Sequence, residues 1–216
     1  NGFKLLIIMP GGDGGSAFHP FVKRIYKHVL GPEWVAAEPI AVKWSRSKSI
    51  VWPTYKDAIK GYVPGTERFV EDMITDAAQR VKLDPAHIFL LTWSSGGPAA
   101  YSHSLQKYKS VTGFYIAMSV FKPERLPPLK EARGEAFFID HSPDDKVCPY
   151  HMARKAEQFL KKAGAKVTLK TYQGGHGWRG NIYGRMKEGI QWLEKNKSAV
   201  DKRMWPDKRL GKMGKK

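Results

Sequence analysis

A serine between an apolar strand and a helix is the first group in this sequence that can act as a nucleophile. Residues 90–98 read LLTWSSGGP, which is typical of a nucleophile elbow, where a strained turn exposes the serine and the next helix points its positive end at a developing oxyanion. Thr92 occupies the place of the usual first glycine of G-x-S-x-G. Ser94 and Ser95 define two registers, and Ser94 is favoured because Ser95 would put Trp93 at a crowded position. A Ser/Gly-rich helix start without a nucleophile is the structural alternative.

Two later loops offer an acid and a base for such a serine. Residues 138–147 read FIDHSPDDKV, an apolar strand followed by a loop with three carboxylates, one of which should orient a histidine. Residues 172–178 read YQGGHGW, so His176 lies directly after the last strand, between glycines that allow a sharp turn. An ordinary exposed loop histidine is the alternative here. The other six histidines, including His19, His28 and His87, are expected to have no catalytic role.

The order serine, acid, histidine along the chain is the order that α/β-hydrolases use. In such a triad the serine attacks an acyl carbon, the histidine takes and later returns the proton, and the carboxylate fixes the imidazole tautomer and stabilises its cation. A glycine loop, PGGDGG at residues 10–15, follows the first strand and can direct backbone amides at an oxyanion. Phosphate binding by this loop is less favoured, because it lacks the P-loop lysine and Ser/Thr and because Asp13 would repel phosphate.

These loops must be positioned by alternating strands and helices. Short apolar runs predict six strands, at residues 3–9, 34–38, 87–92, 111–118, 136–140 and 166–172. The alternation predicts an α/β fold: a mostly parallel sheet of about six or more strands, helices on both faces in a three-layer αβα arrangement, and ligand chemistry at the carboxyl ends of the strands.

Five helices are predicted between the strands. Phe21, Ile25 and Val29 share one helical face, and Thr66 is a candidate N-cap for the second helix. The remaining helices are expected after Gly97, from about residue 153 to Gly164, and over about 182–195. Two segments without a clear period, residues 44–65 and 120–134, are predicted to be long loops of the kind that often carry function.

Length and charge indicate a single domain with a basic end. The 216 residues suit one domain over residues 1–197, followed by a basic and mobile tail over 198–216. With 37 Lys and Arg against 20 Asp and Glu, the formal charge of +17 predicts weak association with polyanions, but no specific nucleic-acid site. The only cysteine, Cys148, excludes an internal disulfide. No apolar run is long enough to span a membrane, and compartment and oligomeric state stay open.

Over residues 4–193 the chain resembles the phospholipase/carboxylesterase and dienelactone-hydrolase-like branch of the α/β-hydrolases, small serine esterases with little or no lid. Residues 83–90, LDPAHIFL, resemble the segment before the elbow in that branch, and residues 93–97, WSSGG, resemble its aromatic-Ser-x-Gly-Gly elbow. Residues 141–149, HSPDDKVCP, resemble its H-G-x-x-D-x-V-V-P acid loop, and residues 175–178, GHGW, its histidine loop.

The resemblance implies a triad of Ser94, Asp145 and His176, and oxyanion donors at the backbone amides of Gly12 and Ser95. The sequence departs from the family where Pro10 replaces a frequent histidine, where Asp13 lies near the last glycine of the loop, and where Thr92 replaces the elbow glycine. The chain begins at what would be the third strand of the family. Either upstream residues are missing or the sheet is short at that edge.

The expected activity is hydrolysis of a small-molecule or polymer-linked carboxylic ester through an acyl-enzyme, with no metal and no organic cofactor. Trp52, Trp93 and Trp178 are predicted to contact substrate, and Trp44 and Tyr55 lie in the same predicted loops. The alternatives are a thioesterase, acyltransferase or peptidase with the same triad, since a fold and a triad do not fix the leaving group. A non-catalytic hydrolase-fold protein that binds polyanions is a further alternative.

Overall fold

A single parallel sheet forms the centre of the protein. The computed structural model describes residues 2–42, 50–57 and 65–205. Its six strands are ordered β2-β1-β3-β4-β5-β6, and every neighbouring pair is parallel. They are β1 Phe3–Met9, β2 Trp34–Ala37, β3 Leu83–Trp93, β4 Gly113–Ala117, β5 Ala136–His141 and β6 Lys166–Thr171.

Five helices cover the two faces of this sheet: α1 His19–Val29, α2 Thr66–Arg80, α3 Gly97–Ser104, α4 Tyr150–Lys162 and α5 Ile182–Asn196. The alternation along β1 creates two cores, because successive side chains of a strand point to opposite faces. Leu5, Ile7 and Met9 pack with α2, α3 and α4, whereas Leu6 and Ile8 pack with α1 and α5. The structure thus confirms the predicted three-layer α/β arrangement.

The parallel topology brings the loops that carry chemistry to one edge of the sheet. The glycine loop follows β1, the serine turn follows β3, the carboxylate loop follows β5 and the histidine loop follows β6. All four leave the carboxyl ends of their strands, and neighbouring strands are only about 5 Å apart. Groups that are far apart in sequence are therefore close in space.

Several element boundaries differ from the prediction for local reasons. The N-cap of α2 is Gly65, and the Thr66 hydroxyl donates a hydrogen bond to the Pro53 carbonyl oxygen (2.7 Å), so it stabilises the preceding loop instead of capping the helix. The predicted loop 120–134 contains two 3₁₀ turns, Pro123–Arg125 and Leu129–Ala132. The predicted loop 44–65 lies partly outside the described residues, and Trp44 falls in that part.

The first residues of the predicted basic tail are packed onto the domain. The Ser198 amide donates to the Thr112 carbonyl oxygen (2.8 Å), and the Trp205 side chain is buried in the core on the α2–α4 face. The rest of the predicted mobile tail 198–216, from residue 206 onward, lies outside the described residues. None of the described helices has the length and apolar character that crossing a lipid bilayer requires.

Candidate active site

Ser94 lies at a strained turn between β3 and α3. Its φ of 51° is in the left-handed region, whereas Trp93 before it is extended. A left-handed conformation in a residue other than glycine costs on the order of 1–3 kcal/mol and persists where the surroundings impose it. Here the Ser119 hydroxyl, in the loop after β4, donates to the Ser94 carbonyl oxygen (2.6 Å) and fixes the turn.

Gly96 and Gly97, which follow the two serines, lie too close to neighbouring side chains to carry a Cβ. A Cβ at Gly96 would collide with the Thr92 hydroxyl, and one at Gly97 would collide with the Ser119 side chain. Thr92 itself fits, because its hydroxyl donates to the Met9 carbonyl oxygen on the adjacent strand (2.8 Å). Threonine in place of the usual elbow glycine is therefore compatible with a tight turn.

Three predicted side chains form one hydrogen-bonded chain. Ser94 Oγ lies 3.1 Å from His176 Nε2, and His176 Nδ1 lies 2.8 Å from Asp145 Oδ2. Because an ionised carboxylate only accepts, His176 Nδ1 carries the proton toward Asp145, which leaves Nε2 to accept the proton of Ser94. The Asp145 side chain is fully buried, and that of His176 is 24% exposed. The arrangement suits general-base activation of a serine.

Of the three carboxylates in the acid loop, the structure brings Asp145 to the histidine. Its second oxygen, Oδ1, accepts hydrogen bonds from the backbone amides of Val147 and Cys148, both at 2.8 Å. Asp144 points to solvent, and Asp140 forms other contacts, described below. Only Asp145 among them lies within hydrogen-bond distance of His176 in the described part of the chain.

The histidine loop is held at both ends. Gly174, Gly175 and Gly177 have φ of 116°, 77° and 120°, a region that favours glycine. The Gly175 amide donates to Ser142 Oγ (3.0 Å), which ties the loop to the acid loop. Tyr172 Oη donates to the Gly177 carbonyl oxygen (3.0 Å) from the end of β6. The backbone on both sides of His176 is thus fixed by Ser142 and Tyr172, which directly follow β5 and β6.

A buried ion pair beneath this loop was not anticipated from the sequence. Arg185 Nε on α5 donates to both oxygens of Asp140 (3.2 and 3.1 Å), and Arg185 Nη1 donates to the Arg179 carbonyl oxygen (2.8 Å). The Arg185 guanidinium lies 4.3 Å from the centre of the Tyr172 ring. Burial raises the pKa of Asp140, and the cation of Arg185 opposes that shift. No residue spacing signals a contact between β5 and α5.

His141 is a second residue of the candidate site that was not predicted from the sequence, since a role was predicted only for His176 among the histidines. Its Nε2 lies 2.7 Å from the Cys148 carbonyl oxygen and 3.4 Å from Asp145 Oδ2. Burial lowers the pKa of His141 below its ordinary 6.5, so the ring is neutral with its proton on Nε2. The imidazole supports the acid loop directly beneath Asp145. The position of His141 as the first residue of the HSPDDKVCP motif could have indicated a role in the acid loop.

The glycine loop contacts the elbow directly. Ser95 Oγ donates to the Gly12 carbonyl oxygen (2.9 Å), so the two segments predicted to supply oxyanion donors lie against each other. Gly12 has a φ of 60°, and a Cβ at Gly11 would collide with Trp93. Asp13 is accommodated because its carboxylate accepts the Gly15 amide (2.9 Å).

The three predicted substrate-binding tryptophans occupy two different places. Trp52 lines a cavity of about 230 Å³ beside Ser95, and its indole Nε1 donates to the Pro10 carbonyl oxygen (2.8 Å). Trp93 is 4% exposed and packs edge-to-face on Trp178, with ring centres 5.7 Å apart, on the α1 face of the sheet. Phe21 packs on both indoles.

One group of side chains has the composition of a metal site. Ligand atoms of Asp145, Cys148 and His176 lie within 4.8 Å of one another. Burial, reinforced by the nearby Asp145 carboxylate, raises the pKa of the Cys148 thiol to about 11, so the thiolate that a metal requires is disfavoured. Both Asp145 and His176 are already engaged in the hydrogen-bonded chain. The contacts thus favour proton transfer over metal binding here.

Comparison with solved structures defines the class of fold. The carboxylesterase of Bacillus cereus superposes with a TM-score of 0.68 at 16% identity, covering 90% of this chain and 89% of the other. SOBER1 of Arabidopsis thaliana superposes with a TM-score of 0.65 at 18% identity, covering 89% and 98%. Esterase 2 of Thermogutta terrifontis gives 0.64 at 17% identity, covering 89% and 82%. No family model matches the sequence. The fold is that of the α/β-hydrolases, as the sequence predicted.

Proposed function

We propose that this protein is a serine hydrolase that cleaves carboxylic esters, with Ser94 as nucleophile, His176 as general base and acid, and Asp145 as the orienting acid. The observation that carries the proposal is the continuous hydrogen-bonded chain from Ser94 Oγ to the buried Asp145 carboxylate. The strained φ of Ser94 and the α/β-hydrolase fold support the same reading.

The reaction follows from these positions. Ser94 Oγ attacks the acyl carbon while its proton passes to His176 Nε2, and Asp145 stabilises the resulting imidazolium. The leaving alcohol takes that proton, and an acyl group stays on Ser94. A water molecule, deprotonated by His176, then attacks the acyl carbon, releases the carboxylic acid and restores the serine. The amides of Gly12 and Ser95 are the proposed oxyanion donors, and losing one such donor costs about 3 kcal/mol in barrier.

Hydrolysis of p-nitrophenyl acetate and butyrate by wild type and Ser94→Ala tests the proposal, together with a fluorophosphonate probe mapped by mass spectrometry. Thermogutta terrifontis esterase 2 is phosphorylated by paraoxon, which supports an organophosphorus probe for this fold. We expect label on Ser94 in wild type, and loss of roughly 10⁵-fold or more in kcat for Ser94→Ala. Ser95→Ala is the matched control, because it removes the neighbouring hydroxyl and should retain most of the activity.

A second pair of variants separates the two adjacent carboxylates of the acid loop. Asp145→Asn should lower kcat by about 10⁴-fold, because the amide disfavours the productive histidine tautomer. Asp144→Asn changes an exposed carboxylate one residue away and should have little effect. Equal losses in the two variants would refute the assignment of Asp145.

The same triad serves thioester hydrolysis, acyl transfer and peptide cleavage, and a matched thioester of butyrate measures that preference. The non-catalytic alternative predicts no turnover and no label on Ser94. It also predicts binding to a polyanion that weakens steeply with salt, whereas hydrolysis of a neutral ester should respond little.

A further inference from the structure

The cavity beside Ser95 combines an apolar interior with a charged rim. It is lined by the buried side chains of Trp52 and Tyr101 and by Val120 and Leu126, and its volume is about 230 Å³. Ser95 on its wall follows the proposed nucleophile directly. A substrate group held in this cavity would therefore be part of the ester that is cleaved.

The charges at the rim do not balance. Asp57, Arg125 and Lys122 all line the cavity. Asp57 is saturated, because its Oδ2 accepts from the Thr54 amide (2.7 Å) and hydroxyl (2.9 Å), and its Oδ1 accepts from Arg125 (2.6 Å). Lys122 forms no ion pair with a carboxylate of the described residues. Among the described residues that line the cavity, one positive charge thus remains uncompensated at the rim.

A neighbouring cation adds to this charge. Lys56 Nζ donates to the Leu126 carbonyl oxygen on the cavity wall (2.5 Å). Glu124 lies on the same 3₁₀ turn as Arg125 but does not line the cavity. An uncompensated cation over an apolar interior is complementary to a chain that ends in an anion, and the net charge of +17 would steer such a molecule toward the protein.

We infer that this cavity selects esters that carry a carboxylate at the end of an apolar arm, with Lys122 as the specificity-determining cation. The inference rests on the proposed ester hydrolysis. The carboxylate lies on either the acyl or the alcohol side of the ester, and two substrate pairs distinguish these cases. On the acyl side the pair is p-nitrophenyl hydrogen adipate and p-nitrophenyl hexanoate. On the alcohol side the pair is m-acetoxybenzoate and m-tolyl acetate.

The measurement is the ratio of kcat/KM for the anionic and the neutral member of each pair, at low salt and after subtraction of spontaneous hydrolysis. Wild type should prefer the anionic member of one pair. Lys122→Gln should lower that preference about two- to fivefold, the range expected for one exposed charge pair, and leave the neutral ester unchanged within twofold. Lys122→Arg should preserve the preference. Lys130→Gln removes an exposed lysine that does not line the cavity and is the matched control.

Two further observations test the sign of the effect. Asp57→Asn frees the Arg125 charge and should increase the preference for the anionic ester. High salt should reduce the preference in wild type, because exposed charges are screened beyond about 3 Å at 1 M ionic strength.

Equal turnover of both members of each pair by wild type would overturn the inference and leave the proposed hydrolysis intact, as would equal losses for both members in Lys122→Gln. No turnover of any ester, together with an unlabelled Ser94, would overturn both.

Discussion

Removal of Arg185 tests the role of the buried ion pair beneath the histidine loop. Arg185→Met keeps an unbranched side chain of intermediate length but leaves the Asp140 carboxylate, whose side chain is 0% exposed, without its cation. Tyr115 Oη still donates to Asp140 Oδ2 (2.9 Å), but the Arg179 carbonyl oxygen loses its donor. Breaking a buried pair by removing one partner costs about 3–5 kcal/mol. For a chain of this size the loss corresponds to a decrease of about 10 °C in Tm.

Urea unfolding followed by circular dichroism measures this loss. Arg179→Met is the control, because it removes an exposed arginine from the segment between the histidine loop and α5. The control should change stability by about 0.5 kcal/mol or less. The double variant Asp140→Asn/Arg185→Met should recover much of the stability, because no unpaired charge then stays buried. A single variant within about 1 kcal/mol of wild type would refute the reasoning, as would a double variant no more stable than Arg185→Met.

The pH dependence of the same variant gives an independent check. Burial raises the pKa of Asp140 above its ordinary 3.8, and loss of the Arg185 cation should raise it further. A group with a raised folded-state pKa favours folding at low pH, and that contribution is lost as the pH rises through the folded-state pKa. The deficit of Arg185→Met relative to wild type should therefore be larger at about pH 8 than at about pH 5. A deficit independent of pH would show that the Asp140 charge is not its cause.

Three further outcomes are expected. Gly96→Ala should destabilise the protein by about 1–3 kcal/mol in urea unfolding, because the added Cβ meets the Thr92 hydroxyl, and Thr92→Gly in the same chain should restore part of the loss. Cys148 should resist iodoacetamide in the native protein at about pH 8, since it is buried and burial raises its pKa to about 11, whereas unfolded protein should react fully when both are analysed by mass spectrometry. Burial lowers the pKa of His141 below 6.5. The contribution of its neutral ring to stability is therefore complete above about pH 6.5 and is lost as the pH falls through the folded-state pKa. His141→Gln should accordingly show a smaller fall in the urea midpoint between about pH 7 and pH 5 than wild type.

Local patterns in the sequence determined the elements and their order. Apolar runs separated by helical periods placed all six strands. The signal is clearest for inner strands such as β1 and β4, because a strand buried on both faces reads as a continuous apolar segment, whereas the edge strand β6 alternates with polar residues. The same runs placed the serine, the acid loop and the histidine directly after strands. A parallel sheet brings such loops to one edge whatever their separation in sequence, and so the hydrogen-bonded chain from Ser94 to Asp145 joins groups that the sequence had already selected.

The contacts that hold these groups in place depended on tertiary structure. The pairing of Asp140 with Arg185 joins residues 45 positions apart, and no periodicity encodes it. Thr66 does not cap α2, because its hydroxyl donates to the Pro53 carbonyl oxygen, a contact that the local sequence does not indicate. Trp93 and Trp52 are both predicted substrate-binding residues, but the tertiary structure separates them. Trp93 packs on Phe21 of α1 in one core, whereas Trp52 belongs to the core on the opposite face of the sheet and lines the cavity beside Ser95. The sequence thus determined which residues form the proposed triad, whereas packing between distant elements decided what supports them, since such contacts depend on three-dimensional proximity and not on spacing along the chain.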